Sequence, residues 1–277
     1  MNKTPDDYSP ITESLAYLIQ TLKNDPDWNK RFGAASKLYR LGQETAIDPL
    51  IFVLQNDKHK EMQRFAADLL GRLEDPRATW ALIASFRQAI IEKNANMMQH
   101  TSDALIRMKS PDLFKLISGT LADKDEMIII KLRFIELLGK MGDTKSIEML
   151  IQIIRNKTTK AKIRGKCIEE LVFTGHLAGL HLILELLDVT SNKNFQKIVV
   201  RALGKTPFKN KTIVIRISDS LLKITEYEES KQEKKDKVLQ ELIITALKNL
   251  AKNINMDFDR LMDEVLIIRK KQHAPTK

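Results

Sequence analysis

Thirteen lysines and arginines lie between Arg155 and Arg216, against only four acids, Glu169, Glu170, Glu185 and Asp188. Six of these cations, Arg155, Lys157, Lys160, Lys162, Arg164 and Lys166, fall within twelve residues without one acid. Lys193, Lys197, Arg201, Lys205, Lys209, Lys211 and Arg216 follow, with no acid between Asp188 and Asp219. Cations at this density attract carboxylates or phosphates; they make and break no bonds. Arg201 and Lys205 set like charges one helical turn apart, which is mildly destabilising unless an anion sits nearby. Lysines kept for solubility are the competing explanation. The candidate binding patch is therefore Lys157, Lys160, Lys162, Arg164, Lys166, Lys193, Lys197, Arg201, Lys205, Lys209 and Lys211, cations with no partner in their own stretch of chain.

Catalytic groupings are thin. The five histidines, His59, His100, His176, His181 and His273, show no metal-ligand spacing; His176 and His181 are five apart and share no helix face. His181 and Glu185 are one turn apart and could act as an acid–base pair, although a surface hydrogen bond is the simpler reading. Cys167 sits at a core position of its helical pattern, which makes it a buried, inert thiol. No glycine-rich phosphate loop and no Ser-His-Asp arrangement can be drawn. The expectation is a non-catalytic protein without metal or cofactor.

What must position these residues is a repeat. Leu38, Leu70, Leu105, Leu138, Leu171, Leu203 and Leu247 recur at one helical phase, at intervals of 32, 35, 33, 33, 32 and 44 residues. Self-similarity at such a period means a stacked array in which each unit covers its neighbour's apolar face. Each period divides into two amphipathic segments. Ile47–Asp57 typifies the first, and the second holds the anchor leucine, with core positions four and three before it and three after. Asp25-Pro26, Asp75-Pro76, Ser110-Pro111 and Ser9-Pro10 each place a capping side chain before a proline at a helix start. Gly42, Gly142 and Gly175 stand just past anchor helices, where a left-handed residue is wanted. The fold class is all-α: a right-handed α-solenoid of about seven antiparallel helix pairs, near 10–41, 44–73, 76–109, 111–141, 144–174, 176–205 and 209–252, plus a C-terminal capping helix near 256–271. Residues 1–9 read as a flexible tail, 10–254 as the repeat region and 255–277 as cap and tail. Tyr227 to Lys237 reads as a solvated, mixed-charge insertion, a loop or the first turns of a long helix. Trp28 and Trp80, near helix starts, should pack between units.

Counting from the anchor leucine places the exposed stripe of the second helix at five before, two before and two after. The position two after reads Arg40, Arg72, Arg107, Lys140, Phe173, Lys205 and Asn249, five of seven basic. Acids stand one turn earlier in the middle of the array. Asp68–Arg72, Asp103–Arg107 and Glu136–Lys140 have the favourable acid-first order, so local neutralisation of those three cations is expected. Tyr39 and Phe173, on or beside the stripe, could stack on a planar ligand.

Ile47-Asp-Pro-Leu-Ile-Phe-Val-Leu-Gln-Asn-Asp57 followed by Met62-Gln-Arg-Phe-Ala-Ala-Asp-Leu-Leu70 resembles a HEAT repeat in its first-helix proline, turn aspartate, second-helix arginine and small-residue pair. Leu70-Gly-Arg-Leu73 with Asp75-Pro-Arg-Ala78 is similar to the short bacterial HEAT-like repeats of phycobilin-lyase-type proteins. The resemblance spans roughly residues 10 to 252 and decays toward the last unit. It implies that second helices line a concave face, with Arg40, Arg72, Arg107, Lys140 and Phe173 as its stripe. It also implies that Arg31, Arg64 and Arg164 pair structurally with turn acids.

Composition narrows the rest. The net charge of +10 falls entirely in residues 151–277, which hold 25 Lys+Arg against 15 Asp+Glu, while residues 1–150 balance at 21 each. One cysteine fits a reducing compartment, and no secretory signal or uninterrupted apolar span appears, so a soluble, cytoplasmic protein is expected. Three functions follow. The first is an interaction scaffold that binds an acidic protein through its concave and basic C-terminal face. The second is a nucleic-acid-binding HEAT-like protein resembling the alkylpurine DNA glycosylases, although no catalytic aspartate with aromatic neighbours aligns. The third is a bilin-binding lyase-type or chaperone protein, an analogy of fold only.

Overall fold

The leucine period dictates helices that can bury their apolar stripe only against the next pair, and the computed structural model has that arrangement. It describes residues 14–156, 158–189, 192–230 and 236–272; the expected N-terminal tail, Ser9-Pro10, Lys157 and His273 lie outside them. Two compact units are present, Met1–Arg133 and Phe134–Lys277. The leucine period runs through the boundary without a break.

In the first unit the order is α1 (Leu15–Asn24), α2 (Trp28–Leu41), α3 (Gln43–Asn56), α4 (Lys60–Leu73), a 3-10 turn (Pro76–Ala78), α5 (Thr79–Ile91), α6 (Ala95–Met108) and α7 (Pro111–Ala122). The division falls inside α8 (Ile128–Met141). The second unit continues with α9 (Thr144–Arg155), α10 (Ala161–Phe173), α11 (Leu177–Val189), α12 (Lys193–Lys205), α13 (Lys211–Ser230), α14 (Lys237–Asn253) and α15 (Phe258–Gln272). These are seven helix pairs and a last helix, all-α among the described residues, as the period requires. In each unit successive second helices pack on one another, α2 on α4 and α4 on α6, then α10 on α12 and α12 on α14.

Six of the seven anchor leucines are fully buried and Leu247 is 1% exposed. The residue after the anchor explains how closely the second helices approach. Gly71 of α4 leaves room for Ala104 of α6, whose Cα would lie 2.6 Å from a Cβ added there. Gly204 of α12 does the same for Ala246 of α14, with the nearest atom at 2.8 Å. In both cases the glycine faces the residue just before the next anchor, so the helices meet nearly backbone to backbone. Helix ends follow local chemistry. Gly142 and Gly175 take positive φ, 58° and 66°, past α8 and α10. Ser110 and Asp75 cap the starts that carry Pro111 and Pro76.

Four expectations change. Asp25 does not cap α2: Pro26 precedes the helix, Asp27 caps it, and the Asp25 carboxylate instead accepts from the Asp27 N–H at 2.9 Å. Of the expected insertion, residues 231–235 lie outside the described residues; ahead of them α13 runs on to Ser230, and Glu228 near its end is not solvated, being 3% exposed and ion-paired to Lys193. Trp28 does pack between repeats, stacked on His59 with centroids 4.8 Å apart, but Trp80 is 61% exposed. In the last pair Ile244, at a core position of the pattern, is exposed, consistent with the decay of the repeat there.

Buried charge is used structurally. Lys131 lies in the first unit's core and donates to the carbonyls of Leu121 (3.3 Å) and Asp123 at the C-terminal end of α7. A cation there satisfies carbonyls that the helix leaves unpaired.

Candidate binding face and groove

In the first unit Arg40, Arg72 and Arg107 are all exposed, one on each of α2, α4 and α6. The expected neutralisation within each helix does not occur. Asp68 turns to the next second helix, where its Oδ1 lies 2.9 Å from His100 Nδ1. Asp103 accepts from Gln99 Nε2 at 2.8 and 2.9 Å. In the second unit Glu136 likewise meets Lys166 Nζ of α10 at 2.9 Å, not Lys140. In the two pairs that cross the stack, the residue two before one anchor reaches the residue five before the next; Asp103 instead bonds within α6. Arg40, Arg72, Arg107, Lys140 and Lys205 make no ion pair within 4.0 Å among the described residues.

The basic segment is corrected in the opposite direction. Several of its cations do have partners, on elements distant in sequence. Lys193 pairs with Glu228, Lys197 with Asp236 at 2.7 Å and Lys211 with Glu264 at 2.7 Å. Lys166 is held by Glu136 at 2.9 Å and Glu170 at 2.8 Å. Arg164 lies over the Phe195 ring, 4.9 Å from its centroid. Lys160, Lys162, Arg201, Lys205 and Lys209 stay exposed with no ion pair among the described residues. No window of sequence around these lysines contains acids 35 to 53 residues downstream, which is why they appear unpartnered there.

A groove of about 1080 Å³ opens at the C-terminal ends of α8, α10 and α12 in the second unit. Gly139, Gly142, Gly175, Lys140, Phe173, His176, Leu177 and Lys205 line it beside a charged floor of Glu136, Lys166 and Glu170, with the half-exposed Glu169 next to them. Phe173 is 73% exposed and Leu177 56% exposed. On the floor, burial pushes the Glu170 carboxyl above the usual carboxylate range, against the pull of Lys166. Burial works against the Lys166 ammonium too, but hydrogen bonds to Glu170 and Glu136 outweigh it and hold the lysine protonated above its ordinary range. Lys166 is thereby held between Glu136 and Glu170, while the Glu169 carboxylate, 3.9 Å from Lys166, stays half exposed beside the rim lysines. Gly139 is needed here: a Cβ there would lie 2.8 Å from the Glu170 Cβ.

Three of the groove's residues, Lys140, Phe173 and Lys205, come from the predicted stripe, and Lys166 comes from the basic segment. Leu177 and His176 were not foreseen; the sequence signal was an aromatic residue interrupting a basic series just before a left-handed glycine. The expected family arginines diverge. Arg31 grips Asp57 with two hydrogen bonds of 2.8 and 2.9 Å and also donates to the Asp25 carbonyl, as the resemblance implies. Arg64 pairs with Glu61 of its own helix, and Arg164 uses a ring instead of a turn acid.

Reactive groupings stay sparse. His181 Nε2 lies 2.6 Å from Arg216 Nη1, so its partner is an arginine of α13 and not Glu185. Cys167 is buried, and burial pushes its thiol far above the ordinary range, leaving almost no thiolate. No cluster of three metal-ligating side chains occurs among the described residues. No helix among them is long and apolar enough to cross a membrane.

Comparison with known proteins bears on the fold. Residues 15–92 match the family described as HEAT repeats. Among curated proteins nothing matches significantly. Human deoxyhypusine hydroxylase, in complex with glycerol, is 15% identical over 86% of this chain and 96% of its own, with a TM-score of 0.37. The complex of CpcE and CpcF of phycocyanin lyase from a Nostoc species is 18% identical over 96% of this chain and 99% of that one, with a TM-score of 0.36. Neither likeness is close enough to carry an activity, substrate or cofactor to this chain. The stacked helix pairs agree with the HEAT-repeat match, which covers residues 15–92.

Proposed function

We propose that this HEAT-repeat scaffold is a non-catalytic binding protein whose partner is a protein with an acidic surface, engaged through the cations of the second helices. One observation carries the reading. At the same position of five second helices stands an exposed cation, Arg40, Arg72, Arg107, Lys140 or Lys205, and the acids expected to neutralise three of them are engaged elsewhere. Neighbouring second helices lie about 8–10 Å apart, so within each unit the cations form a ladder at a spacing that side-chain carboxylates on a partner can match. Three of the five are arginines, whose planar fork binds carboxylate with two hydrogen bonds. The exposed cations Lys160, Lys162, Arg201 and Lys209 add to the attraction in the second unit.

A protein partner is favoured over nucleic acid by the groove. The exposed apolar Phe173 and Leu177 offer contact to the side chains of a partner protein, where a duplex backbone presents only phosphate and sugar. The test is a side-by-side titration of the full chain with fluorescein-labelled polyglutamate and a labelled DNA duplex, followed by anisotropy from low to physiological salt. Tighter binding of polyglutamate, weakening as salt rises, is expected. Binding of duplex alone would reassign the surface to nucleic acid, and binding of neither would end the proposal.

A further inference from the structure

We infer that the groove at the ends of α8, α10 and α12 is a peptide-anchoring site for an extended acidic segment with one apolar side chain between two carboxylates. The inference rests on the scaffold reading above and specifies how one stretch of the partner is recognised.

Phe173 is the most exposed large apolar side chain among the described residues, at 73%, and it occupies the ladder position that is basic on the helices either side. It ends α10; the chain turns at Gly175, and Leu177 opens α11 with 56% of its surface in solvent. Both line one groove, so the two form a single apolar step and not scattered surface residues. Covering such side chains is favourable by about 25 cal/mol per Å² of apolar area removed from water.

Charge sets what can lie across that step. Lys140 of α8 and Lys205 of α12 flank it, both exposed and both without an ion pair among the described residues. Of the inner charges, Lys166 binds Glu136 and Glu170 within 2.9 Å, and the half-exposed Glu169 carboxylate of α10 disfavours an anion at the centre. The available complement is therefore an apolar centre between two cations. Two helix spacings separate α8 from α12, about 16–20 Å. An extended peptide rises about 3.3 Å per residue, which puts the two carboxylates about five or six residues apart, with the apolar residue midway.

The direct test uses the full chain and the fluorescein-labelled heptapeptide Glu-Ser-Gly-Leu-Gly-Ser-Glu, with a twin carrying serine in place of leucine. The leucine peptide is expected to bind about tenfold tighter than its twin. Phe173→Ser should erase that preference while leaving the twin's affinity unchanged, and Leu177→Ser should reduce it. Lys140→Glu with Lys205→Glu should weaken both peptides. Thermal melts should coincide for wild type and Phe173→Ser, because the removed ring lies mostly in solvent. Equal affinity for the two peptides, or a preference that survives Phe173→Ser, would overturn the anchor. In that case salt-dependent binding of polyglutamate would still stand for the broader scaffold reading. Displacement of the leucine peptide by a DNA duplex at lower concentration than by polyglutamate would also overturn it.

Discussion

The Asp68 carboxylate is held by His100, 2.9 Å away on the next second helix, and not by Arg72 one turn along its own helix. Glu136 and Lys166 repeat the relationship in the second unit. Acids of the stripe thereby tie repeat to repeat, and the cations one turn on are left facing solvent. At Arg72 and Lys140 the inter-repeat contact and the exposed cation are two consequences of one geometry.

A double-mutant cycle separates this arrangement from simple helical pairing. Asp68→Asn combined with His100→Ala should show a coupling free energy of about 0.5–1.5 kcal/mol, as for a side-chain hydrogen bond. Asp68→Asn combined with Arg72→Ala should be additive. Urea melts of the four-variant sets measure both.

The close approach of the second helices should show in glycine substitutions. Gly71→Ala places a methyl carbon 2.6 Å from the Ala104 Cα, so it is expected to destabilise by about 1–3 kcal/mol despite alanine's better helix propensity. Gly33→Ala meets nothing within 4 Å in α2 and should stabilise by up to about 1 kcal/mol. Opposite shifts in Tm for the same substitution are the readout.

Docking of α15 should be acid-sensitive. Burial opposes ionisation of Asp219, but hydrogen bonds from Lys223 and Arg269, and their charges, hold its carboxyl below the usual carboxylate range. A depressed carboxyl contributes stability that is complete above its unfolded value of about 3.9 and is lost as pH falls through the folded value. The difference in unfolding free energy between wild type and Asp219→Asn should therefore be constant above about pH 5 and shrink below about pH 4.

The groove floor should respond oppositely to losing its acid or its base. Glu170 is raised by burial, so the folded state binds its proton more tightly than the unfolded state does, and its contribution falls as pH rises through the folded value. Glu170→Gln should be neutral or slightly stabilising at pH 7 and should flatten that dependence. Lys166→Met takes the cation from the Glu170 carboxylate and leaves it beside the Glu136 charge, and should cost about 1–3 kcal/mol, discounted for partial exposure. Urea melts across pH 4 to 8 compare the two.

The fold was legible because the leucine period is a property of single helices and their neighbours in the chain. The stripe was legible for the same reason: Arg40, Arg72, Arg107, Lys140, Phe173 and Lys205 follow from counting residues, and all are exposed. Pairing was not. Lys193–Glu228, Lys197–Asp236 and Asp68–His100 join residues 32 to 39 apart, a full repeat, and helical spacing rules see only one turn. Leu70-Gly71 and Leu203-Gly204 did carry a signal for close helix packing. Its meaning appears only with the facing residues, Ala104 and Ala246.

The ladder is tested most directly by reversing it where nothing else is touched. Arg40, Arg72 and Arg107 changed together to glutamate should weaken polyglutamate binding at least tenfold in anisotropy titrations at low salt, and the dependence on salt should flatten. Lys58, Lys115 and Lys124, exposed cations off the second helices, give a control of equal charge change when converted to glutamate and should lose much less. Equal losses in the two triple variants would show that net charge, and not the ladder, attracts the ligand, and would contradict the account.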